Sequence, residues 1–164
     1  MNYPKMLLAA LAATAAMTAF MLLAPLVGLP KMDVGALLGS LFGNNKVVGW
    51  VIHVVIGILM LLPYVFFFNQ WLPVENRVAR GAIYGILVFV FSEIVFTIIN
   101  LTGHLPDFAK QDMARMVFGN ALAGMIYGCV LGAFFERQGV DAMERAKFTT
   151  PSASHRVTPS TTHR

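Results

Sequence analysis

Four stretches of this chain run apolar almost without interruption. Met6–Pro30, Val47–Val74, Gly81–Pro106 and Met116–Phe135 contain no Lys, Arg or Asp, and among them only one carboxylate, Glu93. At 1.5 Å per residue a helix of about 20 residues crosses a hydrocarbon core of roughly 30 Å, so each stretch is long enough to span a bilayer. The pattern predicts transmembrane helices at about 6–29, 47–71, 80–101 and 112–136. The first follows Lys5 and could be taken for a secretory signal, but cleavable signals carry apolar regions of about 7–15 residues. The run here extends from Met6 to Leu29, and an uncleaved span is expected.

A different period appears between the first two spans. Val34, Leu37, Leu38, Leu41 and Phe42 recur at i, i+3, i+4, i+7 and i+8, behind Asp33 as a natural N-cap and ahead of Gly43-Asn44-Asn45 as a stop. This predicts a short amphipathic helix at about 33–43, with Gly35, Ala36, Gly39 and Ser40 on its polar face. That face has no cation to hold lipid headgroups, which favours a connector packed against the other helices. In the second span Trp50 and Trp71 mark the two interfaces, and Pro63 should kink the helix between them. A short basic connector with Arg77 and Arg80 leads into the third, and Asp107 is placed to cap the fourth. After Glu136 the chain becomes charged and then rich in Thr, Ser and Pro, so residues 1–147 form the transmembrane domain and 148–164 a disordered tail on the cytoplasmic side.

Composition fits this reading. Asp, Glu, Lys and Arg make up 12% of the 164 residues against about 25% in soluble domains, and mean hydropathy is +0.69. The fold class expected is all-α: a polytopic membrane protein, an antiparallel bundle of four helices. One cysteine, Cys129, excludes an internal disulfide or a multi-cysteine metal site. The net charge of +4 is scattered beside the spans, which suits orientation in a bilayer and not binding of nucleic acid. Lys5, Arg77, Arg80, Arg137, Arg145, Lys147, Arg156 and Arg164 fall on one side, against Lys31, Lys46, Lys110 and Arg115 on the other. The positive-inside rule then puts both termini in the cytoplasm of a cell bounded by an inner (plasma) membrane.

Small residues mark the helix faces. Asn120, Gly124, Gly128 and Gly132 follow one another at intervals of four, as do Gly81, Gly85, Phe89, Glu93 and Thr97. Such stripes let backbones approach closely, and a polar residue on the stripe can hydrogen-bond across the contact. Gly49, His53 and Gly57 share a face, as do Ala10, Thr14 and Thr18. These faces are expected to meet inside one bundle; homo-oligomerisation through the glycines, or attachment to a larger membrane complex, is the other use of the same pattern.

Glu93 is costly within hydrocarbon and must face the interior, paired or protonated. Helix rise places it in the same half of the membrane as His53, and Thr18, Thr97, Asn100 and Asn120 reach that depth on their own helices. A polar intramembrane cluster of Thr18, His53, Glu93, Thr97, Asn100 and Asn120 is therefore expected, with His53 and Glu93 as an acid–base pair. It could relay protons, take a small polar ligand or cation, or lock the helices together; locking is favoured, because intramembrane polar contacts often serve packing.

Other chemistry lacks its parts. His53 is the sole histidine well inside a span, too few for bis-histidine haem ligation, and one His with one Glu cannot close a zinc site. No phosphate-binding glycine loop, nucleophile elbow or H-E-x-x-H is present. No cofactor, metal or enzymatic activity is expected.

The run Gly49-Trp50-Val51-Ile52-His53-Val54-Val55-Ile56-Gly57, preceded by Met32-Asp33 and Leu38-Gly39-Ser40-Leu41-Phe42-Gly43, resembles an uncharacterised family of small four-helix bacterial inner-membrane proteins. Arg80-Gly81-Ala82-Ile83-Tyr84-Gly85, Gly119-Asn120-Ala121-Leu122-Ala123-Gly124 and Tyr127-Gly128 fit the same pattern, which covers the chain to about Phe135. The resemblance directs attention to Asp33, His53 and Asn120 and implies no substrate. The function expected is that of a non-enzymatic accessory or scaffold component of a membrane complex. The alternatives are a proton- or cation-coupled transport element using Glu93 and His53, and a haem- or quinone-binding redox subunit.

Overall fold

A computed structural model describes residues 3–103 and 113–135. Its order is α1 (Tyr3–Leu23), closed by a 3-10 turn at Ala24–Val27; α2 (Val34–Gly39), extended by a 3-10 turn at Ser40–Phe42; α3 (Lys46–Pro63), continued by a π-turn at Tyr64–Phe68 and a last helical turn at Asn69–Trp71; α4 (Arg77–Leu101); and α5 (Met113–Phe134). Four helical segments, Tyr3–Val27, Lys46–Trp71, Arg77–Leu101 and Met113–Phe134, are long and apolar enough to cross a membrane. The expected cap at Asp107, the charged extension after Glu136 and the tail at 148–164 lie outside the described residues.

Polar side chains set the helix starts. Asp33 accepts from the Ala36 N–H and opens α2, Asn45 accepts from Val47 and Val48 and opens α3, and Asn76 accepts from Val78 and Ala79 and opens α4. Each satisfies backbone donors that the first turn leaves free. The Asn76 cap starts α4 at Arg77, so Arg77 and Arg80 belong to the helix and not to the connector before it. Gly43 and Asn44, with φ of +64° and +61°, form the tight corner between α2 and α3.

The lateral order follows from contacts of α3 with α1, α1 with α5, and α5 with α4, while α2 lies on α3. The α4–α5 contact is the most extensive and is a backbone seam. A methyl placed on Gly81 would strike the Gly128 carbonyl, one on Gly85 the Gly124 carbonyl, and one on Gly132 the Arg77 carbonyl. Gly81, Gly85, Gly124, Gly128 and Gly132 are thus all consumed within the chain. The α1–α3 contact is made by side chains, with Gly57 packed on Thr14.

In α2 both faces meet protein: Leu38 is buried and Val34 and Leu37 pack against the core, while Gly35, Gly39 and Ser40 of the small face are buried too, and only Leu41 and Phe42, in the turn that extends the helix, are 39% and 53% exposed. Gly49 of α3 fits against the backbone of Gly35 and Gly39, and Trp50 covers Gly35. Where lipid is the solvent, large apolar side chains need no protein cover, and close approach selects small residues. Trp50 is thus engaged in packing, whereas Trp71 is 79% exposed.

Pro63 changes the helix in a specific way. Lacking an N–H, it cannot bond back to the previous turn, and the chain beyond it widens into the π-turn Tyr64–Phe68. Hydroxyls from neighbouring helices donate to carbonyls in the preceding turns: Tyr84 of α4 to Met60, and Tyr127 of α5 to Gly57 at 2.5 Å. Both tyrosines are fully buried, tying α3 to helices it otherwise touches little.

Candidate functional site

The polar residues singled out within the spans form two pairs in place of one cluster. Thr18 Oγ1 and His53 Nε2 are 3.1 Å apart, joining α1 to α3, with the imidazole tautomer deciding which donates. Asn120 Nδ2 donates to Glu93 Oε1 at 2.9 Å, joining α5 to α4. Among the described residues no ion pair connects His53 with Glu93, so the expected acid–base pair does not form. His53 is 5% exposed and has Trp50 edge-on at 5.8 Å between ring centres; Glu93 is only half-buried.

Thr97 and Asn100 take no part. Both are exposed, and the Thr97 hydroxyl turns back to the Glu93 carbonyl at 2.8 Å. Periodicity places them on the Glu93 face correctly, but beyond Glu93 the buried face of α4 moves to Phe96 and Ile99. Small-residue spacing tracks a contact only as far as the partner helix follows it.

A cavity of about 100 Å³ lies between the two pairs. His53 and Asn120 are among its polar lining groups; Met17, Met21, Met60 and Phe96 contribute to its apolar wall. It is small: ordinary ligand pockets occupy roughly 300–1,000 Å³. A shallower recess joins Asp33, Met32 and Met116 to Asn120. At its rim Asp33 also forms an ion pair with Lys46 at 2.5 Å, so one carboxylate caps α2 and clamps it to the start of α3. Burial raises the Asp33 carboxyl, but the Lys46 hydrogen bond, the Ala36 N–H and the charges of Lys46 and Lys31 outweigh it and hold the group below its ordinary value.

At the other end of the spans lies a residue whose place in the sequence marks it only as a flanking charge. Arg80 is fully buried. Its Nη1 donates to the Val74 carbonyl at 3.2 Å, while Nε and Nη2 have no partner. The Tyr64 hydroxyl lies beside the guanidinium, also without a hydrogen bond of normal geometry. The Tyr64 ring is itself packed among aromatics: it is 5.1 Å from Tyr84 and 6.0 Å from Phe135, and Phe68 is 5.1 Å from Tyr84. One signal is available in the sequence, since Arg80 stands one residue before Gly81, where the glycine seam opens.

Among the described residues no group of three His, Cys, Asp or Glu side chains is placed to hold a metal ion. No curated protein and no solved structure matches the chain. Residues 3–144 match the model described as Family of unknown function (DUF6789), and the chain, with its four apolar helices and the short helix between the first two, belongs to that family.

Proposed function

We propose that this chain is a non-enzymatic accessory or scaffold component of a membrane complex, a four-helix bundle of the bacterial inner membrane with both termini cytoplasmic. The observation that carries the reading is the use made of the ionisable groups inside the spans. His53 and Glu93 each hydrogen-bond to a residue on an adjacent helix, Thr18 and Asn120, and so act as cross-helix ties. The orientation is supported by the basic residues that remain once buried Arg80 is set aside, seven on the terminal side against four on the other. The glycine stripes serve the chain's own fold, so a partner would meet the lipid-facing aliphatic and aromatic side chains. The cavity beside His53 is less than half the volume of the smallest ordinary ligand pockets, which weighs against the haem or quinone alternative.

Glu93 separates scaffold from transporter. In Glu93→Gln the side-chain oxygen that accepts from Asn120 survives and ionisation is lost; in Glu93→Leu both are lost. A tie predicts stability within about 0.5 kcal/mol of the parent for Gln and a loss of about 0.5–1.5 kcal/mol for Leu, measured by unfolding in mixed detergent. Proteoliposomes of the parent should pass protons, Na⁺ and K⁺ no faster than protein-free vesicles. A flux that the parent supports and Glu93→Gln abolishes would replace the scaffold reading with the transport one.

A further inference from the structure

Arg80 is the most demanding group in the molecule. A guanidinium is planar, and Nε–H lies parallel to one N–H of Nη2, making the edge that grips two oxygens of a phosphate or carboxylate at once. In this chain Nη1 is fixed by the Val74 carbonyl, and the Nε/Nη2 edge is the one left without a partner. The Tyr64 hydroxyl lies beside it, in loose contact with the guanidinium and without a hydrogen bond of normal geometry. Tyr84, the other hydroxyl packed nearby, is already spent on the Met60 carbonyl. Among the described residues no carboxylate pairs with this guanidinium, and a buried cation without a counter-charge is destabilising, so its open Nε/Nη2 edge, with the Tyr64 hydroxyl beside it, points to an anion that completes the fold.

Depth specifies which anion. Arg80 is the fourth residue of α4, about 5 Å along the helix from its start. Trp71, exposed at the end of the preceding span, marks the same end of the structure as an interface. Phosphate groups of phospholipids occupy that level. Two irregular segments border the site: the π-turn Tyr64–Phe68, which carries Tyr64, and the non-helical stretch 72–76, which carries Val74. Isolated π-turns are frequent at functional sites. Stretch 72–76 holds the guanidinium by the single Val74 bond to Nη1, leaving the Nε/Nη2 edge unengaged.

We propose that Arg80 and Tyr64 form a binding site for a phosphate oxyanion at the membrane interface, with the Nε/Nη2 edge of Arg80 taking two oxygens and the Tyr64 hydroxyl a third contact. The phosphate can belong to a phospholipid headgroup or be free in solution.

The test uses the full chain, purified in a mild neutral detergent and stripped of lipid. It is titrated separately with phosphatidylglycerol and with inorganic phosphate against a chloride control, with thermal midpoint and native mass spectrometry as readouts. Saturable binding of one phosphate-bearing molecule per chain is expected. Arg80→Lys, which keeps charge and loses the fork, should weaken it by about tenfold or more, and Tyr64→Phe by roughly three- to tenfold. Binding of the lipid unaffected by excess inorganic phosphate identifies a headgroup site; saturation by inorganic phosphate alone identifies a free-phosphate site; either supports the proposal. Because the Tyr64 hydroxyl makes no hydrogen bond of normal geometry within the fold, Tyr64→Phe decides the matter even if Arg80→Lys fails to fold. Absence of binding by both probes, or binding that Tyr64→Phe leaves unchanged, overturns it.

Discussion

The α4–α5 and α1–α3 contacts start from similar sequence patterns, small residues four apart, and end as different kinds of interface. Between α4 and α5 the groups facing each glycine are backbone carbonyls of the opposite helix. Between α1 and α3 the group facing Gly57 is the Thr14 side chain, and one turn along the contact is the Thr18–His53 hydrogen bond. Backbone held in a helical ladder cannot move aside; a threonine can give up a rotamer. The first seam therefore fixes a distance, and the second tolerates adjustment.

The largest effect that follows is at the rigid seam. Gly128→Val would place its side chain onto the Gly81 carbonyl and the Gly85 backbone. Overpacking commonly costs about 1–3 kcal/mol where side chains can relax; with backbone on the far side, a loss of at least about 3 kcal/mol or failure to assemble is expected. Unfolding in mixed detergent measures it, and a variant as stable as the parent would mean that α4 and α5 do not meet through these glycines. At the adjustable seam Gly57→Ala should cost less, about 1 kcal/mol, because the added methyl meets Thr14 Oγ1 and Cγ2. Thr14→Ala removes both atoms, so the double variant should recover most of the loss, an interaction energy of about 0.5–1 kcal/mol in a double-mutant cycle. No such recovery should occur when Gly128→Val is combined with Thr14→Ala.

That contrast also explains how much can be read from the sequence. Span positions and the glycine seam are legible because each rests on a single physical effect, transfer to hydrocarbon in the first case and absence of a Cβ in the second. The pairing of Thr18 with His53 and of Glu93 with Asn120 is half legible: depth along each helix selects the right residues, but rise alone carries no information on which helices are neighbours. Period assigns Thr97 and Asn100 to the interior, and the structure turns that face outward once α4 passes Glu93. Arg80 is illegible for a physical reason. A basic residue at the start of an apolar helix ordinarily snorkels to the interface, whereas Arg80 is fully buried with Tyr64 of the preceding span beside it, a neighbour that spacing along the chain does not reveal. The burial of the small face of α2 is also missed, because Gly35 and Gly39 are read as a polar face although their value lies in letting α3 approach closely.

The contact of α2 with α3 stands between the two seams and supplies the smallest effect. Gly39 and Gly49 meet backbone, as at the α4–α5 seam, but Gly35 meets the Trp50 side chain and the end of the contact is held by an adjustable side-chain tie, the Asp33–Lys46 pair. Lys46 is more than half exposed, so solvent screens the pair and its contribution should be below about 1 kcal/mol. Asp33→Asn keeps a capping acceptor for the Ala36 N–H and removes the charge. The folded carboxyl titrates below its ordinary value of 3.8, so its stabilisation is fully present above that pH and disappears as pH falls through the lowered value. Thermal unfolding in neutral detergent should show the parent slightly more stable than Asp33→Asn at about pH 7, with the gap closing at acid pH and also in high salt. A gap that persists under both conditions would assign the contribution to hydrogen-bond geometry at the cap, and would make the start of α3 as rigidly held as the glycine seam.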